Sequence, residues 1–335
     1  MLPRRFASVL ALIMVVAVWS RVAPAKSCDG PPECCPSEVH PPSSRQRVQL
    51  GVVLVGLCNV DEKLGTWDAD FYLSESWVAT PDFMPTTEIV NEVTRQNEQF
   101  DDIELIDRRC IRSRRIHSTL RGKYNLRMFP FDKQRLTLEF SDAELAAKFL
   151  QYDGNASITN LDDEANDELA SWKVDGKLDY SHRTRNFVDV GDTAPYDYAT
   201  FSLSVRRHVT FHLTKFFLPL LVIVAVAFSI FWIDPDDLNS KASIGVTCLL
   251  AAIAFQLAEA GSLPEVAYLT FADRVYAICY IALAAALLFA VYGNSLARKA
   301  EKARAARLDR AARWAFPTCM ALALLLAVAR SAWAQ

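Results

Sequence analysis

Five residues in the last third of the chain have the spacing and chemistry needed to contact a hydrated ion. They are Ser243, Thr247, Leu250, Ala254 and Leu257. Steps of four and three residues place them on one face of a helix. Hydroxyl groups can replace part of an ion's water shell, and a ring of leucines can close a narrow path by excluding water. Helix packing is the alternative, because small residues such as Gly245 also mark helix contacts in membranes.

The stripe belongs to the second of four apolar segments, at residues 211–233, 239–260, 275–292 and 314–333. Each has close to the ~20 residues that cross the hydrocarbon of a bilayer. Pro219 cannot donate the helical hydrogen bond and predicts a kink in the first segment. Residues 294–313 carry seven Lys or Arg against two acidic residues, which predicts a short basic linker on the cytoplasmic side.

Residues 45–209 show alternation of apolar and polar positions with a period of two, interrupted by turn-forming residues. Strand-like runs cover residues 48–52, 70–77, 103–106, 115–120, 135–140, 172–174 and 200–206. Many short strands in one segment predict an antiparallel, immunoglobulin-like β-sandwich. The fold class is therefore a β-sandwich followed by a four-helix transmembrane bundle.

The N-terminus predicts a secretory signal peptide over residues 1–25. Arg4 and Arg5 precede an apolar run, and Ala23-Pro24-Ala25 offers a cleavage site. An uncleaved membrane anchor is the alternative. Secretion would place the β-sandwich outside the cytoplasm. The first three spans would then bring the chain to the cytoplasmic side, and the fourth would return the C-terminus to the outside.

Eight cysteines show no metal-binding spacing. Residues 26–44 form a Cys- and Pro-rich segment in which Cys28 could bridge to Cys34 or Cys35. Cys58 and Cys110 lie in predicted strands and could also pair. Three more are expected to act as small apolar side chains inside helices; they are Cys248, Cys279 and Cys319.

The remaining features argue against several classes of function. A formal net charge of −3 gives nucleic-acid binding no electrostatic support. No glycine-rich phosphate loop, zinc-protease motif or nucleophile motif is present, so we predict no enzyme activity, cofactor or resident metal. The acidic stretch 162–168 is expected to be a solvated loop, with a divalent-cation site as the alternative.

Several motifs in order resemble the pentameric ligand-gated ion channels, the Cys-loop receptor superfamily. The first is Phe129-Pro130-Phe131-Asp132 with Gln134, followed by a strand. Arg207 stands twelve residues before Pro219, as the family's arginine stands before its first span. Further matches are Tyr72-Leu73 with Trp77, Tyr196-Asp197-Tyr198 with Thr200, and the loop from 262 to 268.

The chain departs from the animal receptors in ways that resemble the bacterial members. Gly122 and Leu136 stand where animal receptors have the two bridging cysteines. The linker before the fourth span is short, and the loop around Tyr196 has no adjacent cysteine pair. The resemblance therefore implies a bacterial channel in the inner membrane, with its N-terminal domain in the periplasm.

The resemblance implies a homopentamer in which the second span lines the pore. The pore-lining positions would be Asn239, Ser243, Thr247, Leu250, Ala254 and Leu257, and the charges at the pore mouths would be Asp236, Asp237, Lys241 and Glu259. These carboxylates favour a cation-selective channel. Anion selectivity is the alternative, because Lys241 would be the charge nearest the constriction.

The resemblance also implies a ligand site between neighbouring subunits and a gating contact above the membrane. The ligand-binding positions would be Tyr72, Val90, Asp142, Ala143, Phe187 and Tyr196. An amine bound over aromatic faces and a proton are both candidate agonists. The gating positions would be Asp61, Glu62, Phe129, Pro130, Phe131, Asp132, Arg207, Pro264 and Tyr268. A non-conducting ligand-binding receptor of the same build is a further alternative.

Overall fold

The computed structural model describes residues 30–36, 41–80, 83–162, 171–189, 192–261, 263–299 and 301–332. It does not describe the side chains of residues 187–189, 192–193 and 331–332. The predicted signal peptide, Cys28 and most of the acidic stretch 162–168 lie outside the described residues.

The N-terminal half is built from eleven described strands in two sheets. They are β1 (Gln46–Asp61), β2 (Thr66–Val78), β3 (Thr87–Ile89), β4 (Glu92–Ile106), β5 (Arg109–Arg121), β6 (Lys133–Asp142), β7 (Leu150–Gly154), β8 (Asn160–Leu161), β9 (Trp172–Val174), β10 (Asp179–Asp189) and β11 (Asp192–Arg207). The first sheet has the order β4-β5-β2-β1-β7, with β8 also on β1. The second sheet has the order β10-β11-β6-β3, with β9 on β11.

This arrangement confirms the predicted sandwich and adds one difference. The long strand β1 pairs antiparallel with β2 but parallel with β7 and β8. The sheets are therefore mostly, but not entirely, antiparallel.

Strand alternation fills the space between the sheets with apolar side chains. In β2, Trp67 and Phe71 are buried in this core, whereas Asp68 and Tyr72 belong to the opposite face of the strand. Phe140 of β6 meets Phe71 edge-on, with ring centroids 6.2 Å apart. The first sheet thereby presents a second, polar face away from the core.

A disulfide joins the N-terminal segment to the first sheet and rules out two of the pairings that the sequence allowed. Cys34 is bonded to Cys110, and Cys58 retains its thiol. Cys58 pairs across from Asp68 while Cys110 pairs across from Trp77. These positions are nine residues apart on β2, roughly 30 Å at the usual rise of a strand, so a Cys58–Cys110 bridge is impossible. Of the two partners considered for Cys28, Cys34 is excluded because it is bonded to Cys110.

Four helices follow, each long and apolar enough to cross a membrane. They are α1 (Thr210–Trp232), α2 (Leu238–Ala260), α3 (Phe271–Arg298) and α4 (Lys302–Ala332). Phe231, Phe289 and Phe316 pack together and join α1, α3 and α4. The predicted four-helix transmembrane bundle is confirmed.

The helices differ in detail from the sequence expectation. A turn of π-helix at Leu213–Phe217 precedes Pro219 in α1, in keeping with a ring that cannot donate to the preceding turn. The predicted linker 294–313 is largely helical, because α3 continues to Arg298 and α4 begins at Lys302. Alanine, arginine and lysine are strong helix formers, so the basic residues lie mostly on helix ends.

Candidate functional site

Helix α2 has two faces of different character in the isolated chain. The predicted pore-lining residues are all exposed; they are Asn239, Ser243, Thr247, Leu250, Ala254 and Leu257. Leu250 is 61% and Leu257 69% exposed. The opposite face is buried against the other helices and carries Lys241, Gly245, Cys248, Ala252 and Glu259. The polar and leucine stripe is therefore the face that the bundle does not use for its own packing.

Close packing with α3 fixes which face of α2 is buried. A Cβ on Gly245 would come within 3.0 Å of Cδ1 of Leu287, so glycine lets the two helices approach. Tyr280 of α3 donates a hydrogen bond to the carbonyl oxygen of Ala252 at 3.2 Å. These contacts hold α2 at a defined rotation about its axis.

Lys241 lies inside the bundle, which differs from its predicted place at the pore mouth. Its Nζ donates to Oδ2 of Asp309 in α4 at 2.6 Å, and both side chains are almost fully buried. A buried lysine requires a partner of opposite charge, and Asp309 supplies it. Glu259 also differs from its predicted place at the pore mouth, because it is only 3% exposed. Neither charge faces outward with the stripe.

The other two predicted mouth residues are exposed at the start of α2. Asp236 forms an ion pair with Lys302 of α4. Asp237 caps the helix by accepting a hydrogen bond from the backbone nitrogen of Ser240 at 3.1 Å. Hydrogen bonding from Ser240 holds the pKa of the Asp237 carboxyl below its ordinary value, so this carboxylate is negative at neutral pH.

Breaking the Lys241–Asp309 pair from either side is expected to destabilise the protein. Lys241→Met would leave Asp309 charged and buried, and removing one partner of a buried ion pair costs about 3–5 kcal/mol. The double variant Lys241→Met with Asp309→Leu should recover most of that loss, because neither charge remains. Thermal unfolding of the detergent-solubilised protein measures both effects.

The exposed pair between Lys302 and Asp236 provides the matched control. Lys302→Met should leave the unfolding temperature nearly unchanged, because an exposed ion pair is screened by water. A Lys241→Met protein as stable as Lys302→Met would contradict a structural role for the buried pair.

Arg207, the last residue of β11, lies at the junction between the sandwich and the helices. Its Nε donates to Oδ1 of Asp132 at 2.8 Å, and its Nη2 lies 2.7 Å from Oε1 of Glu62. The guanidinium also stacks on Trp172 and Phe129, 4.2 and 4.9 Å from the ring centres. Burial would lower the pKa of Arg207, but the hydrogen bonds and charges of Asp132 and Glu62 outweigh it and raise the pKa above its ordinary value.

The segment Phe129 to Asp132 connects this cation to α3. The carbonyl oxygen of Phe129 accepts from the backbone nitrogen of Ala272 at 3.2 Å. Phe131 packs edge-on against Phe271, with centroids 5.5 Å apart. Pro130, which stands between Phe129 and Phe131 in the sequence, is also buried. The loop from Phe129 to Asp132 therefore contacts both the end of β11 and the start of α3. A movement of β11 can reach α3 through this loop.

The loop between α2 and α3 is held by two further contacts from the sandwich. Tyr268 accepts a hydrogen bond on its hydroxyl from the backbone nitrogen of Leu126 at 2.9 Å. Lys63, in the turn after β1, donates to the carbonyl oxygen of Gly261 at 3.2 Å. Pro264 lies in this loop next to Leu263, which packs on the cluster around Phe129. Asp61 instead accepts from Leu64 within its own turn.

The predicted ligand-binding residues divide between the two sheets. Tyr196 and Ala143 lie on or beside strands of the second sheet, and Val90 beside β3 donates its backbone nitrogen to the carbonyl oxygen of Glu139. Tyr72 lies in the first sheet, with Arg115 over its ring at 5.3 Å. Phe187 is in β10, and its side chain is outside the described part. One chain therefore does not bring Tyr72 and Tyr196 into one site.

Asp142, one of the predicted ligand-binding residues, is engaged in hydrogen bonds within its own chain. It is 3% exposed and accepts four hydrogen bonds. These come from the backbone nitrogen and hydroxyl of Thr86 and from the backbone nitrogens of Glu144 and Leu145. A carboxylate so fully occupied holds the turn after β6 together and has little capacity left for a ligand.

Two residues central to these sites escaped the sequence reasoning. Asp309 looked like one of two acids in a basic linker, although its position inside a helix-forming run was a signal. Trp172 stacks on Arg207 because β9 pairs with the end of β11, where the two residues are direct partners. Pairing of that kind joins distant segments, so no local pattern reveals it.

Comparison with known proteins finds sequence relatives among channels and receptor subunits. No protein-family profile matches the chain. It is 25% identical over 194 residues to the pH-sensitive chloride channel 2 of Drosophila melanogaster. The aligned region covers 56% of this chain and 36% of that protein. It is 24% identical over 199 residues to the gamma-aminobutyric acid receptor subunit beta of Caenorhabditis elegans, covering 59% and 35%. It is 25% identical over 165 residues to the human receptor subunit gamma-1, covering 49% and 34%.

The chain thus spans about a third of the length of the curated relatives it matches. The relatives are named as a channel and as receptor subunits, and none of these three is named as an enzyme. The four apolar helices make the chain a multi-pass membrane protein. With a two-sheet β domain followed by four such helices, the chain is similar to the Cys-loop ligand-gated ion channels.

Proposed function

We propose that the protein is a homopentameric ligand-gated ion channel in which α2 of each subunit lines the pore. The carrying observation is the exposed stripe of α2, which the bundle leaves free while it buries the opposite face. A helix that only packed or faced lipid would gain nothing from Ser243 and Thr247 on that stripe. Symmetric assembly would convert each stripe residue into a ring around the axis.

The order of the rings supports gating by exclusion of water. Ser243 and Thr247 lie nearer the start of α2 and offer hydroxyls to a partly dehydrated ion. Leu250, Ala254 and Leu257 follow and are apolar, so their rings can dewet a narrow path. The polar end would accommodate the ion, and the apolar end would hold the path closed at rest.

We propose that the channel prefers cations. Lys241 is neutralised by Asp309, so its charge would not repel cations at the constriction. Asp237 stays negative and exposed at the start of α2, and rings of carboxylates attract cations. Anion selectivity remains the second candidate, because one relative is named as a chloride channel.

We propose that a small ligand, an amine or a proton, binds between neighbouring subunits. Tyr196, Val90 and Ala143 of one subunit would form one wall, and Tyr72 of the next subunit the other. The separation of Tyr72 and Tyr196 onto different sheets of one chain supports a site that needs two copies. The Arg115 guanidinium over Tyr72 already occupies one aromatic face, which weighs against a simple aromatic cage for an amine.

The topology we propose places the sandwich (residues 45–209) and the C-terminus on the outer side of a bacterial inner membrane. Residues 210–293 and 314–335 would hold the spans. The basic residues of segment 294–313, at the end of α3 and the start of α4, would lie in the cytoplasm, in keeping with the positive-inside rule. Cleavage of residues 1–25 belongs to the same proposal.

Recording from the purified protein in planar bilayers tests the proposal. We expect currents that appear with an amine or with a pH step on the side of the sandwich. In a sodium chloride gradient the reversal potential should lie toward the sodium equilibrium potential; a shift toward the chloride potential would favour the anion channel. A pentamer that binds ligand but passes no current under any condition would instead support a non-conducting receptor.

A further inference from the structure

Three side chains of different chemistry meet on the polar face of the first sheet. They are Cys58 of β1, Asp68 of β2 and His117 of β5, and their candidate ligand atoms all lie within 4.8 Å of one another. We infer that these residues form a binding site for a zinc ion. No sequence spacing indicates it, because the three ligands come from separate strands.

Strand pairing explains why these residues converge. Cys58 is the direct partner of Asp68, and His117 is the partner of Asp70, two residues further along β2. Diagonal neighbours of this kind lie within reach of each other's side chains on one face of a sheet. Asp68 belongs to the face opposite the apolar core formed by Trp67 and Ala69. The site is thus built on three paired strands.

The ligand set matches zinc in both donor type and number. Zinc is bound by cysteine sulfur, histidine nitrogen and carboxylate oxygen, and three protein ligands leave the fourth position for water. Around a tetrahedral zinc, ligand atoms lie roughly 3.5 Å apart. Changes of up to roughly 1.3 Å in the distances between the three atoms would bring them to that spacing. Calcium and magnesium are disfavoured, because they prefer oxygen ligands only.

Two neighbouring side chains already orient the carboxylate. Asn59 donates from Nδ2 to Oδ2 of Asp68 at 2.7 Å, and the hydroxyl of Thr119 donates to Oδ1 at 2.6 Å. Each carboxylate oxygen retains a further acceptor position for a metal. Outer partners of this kind orient metal ligands in protein sites. The nearby charge of Asp70 is paired with Arg115 and does not compete for the ion.

The position of the cluster suggests what zinc would do, on the basis of the proposed channel function. Cys58 precedes by four residues Glu62, which contacts Arg207, and by five residues Lys63, which contacts Gly261. An ion that ties β1, β2 and β5 together would restrain the turn carrying both contacts. Zinc is therefore expected to alter channel opening from outside the pore and the ligand site.

Cobalt spectroscopy of the full-length purified protein, with the Cys34–Cys110 disulfide kept intact, tests binding without any need for channel activity. The wild type should show a sulfur-to-cobalt charge-transfer band that zinc abolishes by displacement. Cys58→Ser should remove the band, and His117→Ala should weaken cobalt binding by at least about tenfold. Cys319→Ser removes an exposed thiol of α4 and should leave the band unchanged. A wild type without the band, or a band that survives Cys58→Ser, would overturn the site.

Current recordings then test the regulatory consequence separately. Micromolar zinc should change the agonist-evoked current of the wild type and of Cys319→Ser, but not that of His117→Ala. Zinc sensitivity that persists in His117→Ala would overturn the regulatory role. An intact cobalt band in a protein that passes no current would contradict the channel proposal while leaving the zinc site standing.

Discussion

Arg207→Ala is expected to abolish agonist-evoked current and to lower the free energy of unfolding by about 3–5 kcal/mol. The substitution removes a cation that contacts both Asp132 and Glu62. Asp132 would remain buried and charged, which is the costly half of a broken ion pair. Thermal unfolding, the oligomeric state in detergent and bilayer currents measure stability, assembly and coupling separately.

The neighbouring residue supplies a matched control for Arg207. Arg206→Ala removes the same side chain from the same strand, but Arg206 is exposed, so neither stability nor current should change appreciably. Arg207→Lys should restore the charge without the two-pronged hydrogen bonding to Asp132, giving an intermediate stability. If Arg207→Ala behaved like Arg206→Ala, the junction would not couple the two halves of the chain.

Leu250→Ser is expected to give a channel that leaks at rest or opens at a much lower agonist concentration. In the proposed pentamer, five serines in place of five leucines would wet an apolar ring and lower the barrier that closes the path. Resting conductance and the agonist concentration for half-maximal current are the measurements. Both should change while the unfolding temperature stays close to that of the wild type, because Leu250 is not part of the bundle core.

Leu288→Ser distinguishes a pore effect from a general effect of serine on an exposed helix surface. Leu288 of α3 is 70% exposed in the isolated chain, close to the 61% of Leu250. It lies on a helix that we do not assign to the pore, so its serine variant should conduct like the wild type. Equal behaviour of the two variants would place the gate elsewhere.

The sequence predicted the elements that have a strong local pattern. The alternation in β2 and the apolar runs of the four spans are periodic, and both appear where expected. Strand β4 was largely missed, since only residues 103–106 were expected. Most of its side chains are exposed, and only Ile103 is buried, so pairing with β5 rather than a buried apolar face holds it in the sheet.

The candidate sites were predictable only where one element carries them. The stripe on α2 needed nothing more than helical periodicity, and its exposure follows from the packing of the other face. The burial of Lys241 depended on α4, and the fate of Cys110 depended on a segment 76 residues earlier. The occupied carboxylate of Asp142 likewise depended on Thr86. Contacts between distant segments are set by tertiary packing, for which a single sequence holds no local signal.

The buried ion pair couples the evolution of two residues that are distant in sequence. Lys241 and Asp309 are 68 positions apart, yet a change at either one alone strands a charge in an apolar interior. Evolutionary routes that neutralise the pair must pass through a destabilised intermediate or alter both positions together. We therefore expect positions 241 and 309 to change together among related chains. Replacing α4 by a helix without an acidic residue at position 309 should require a neutral residue at position 241 as well.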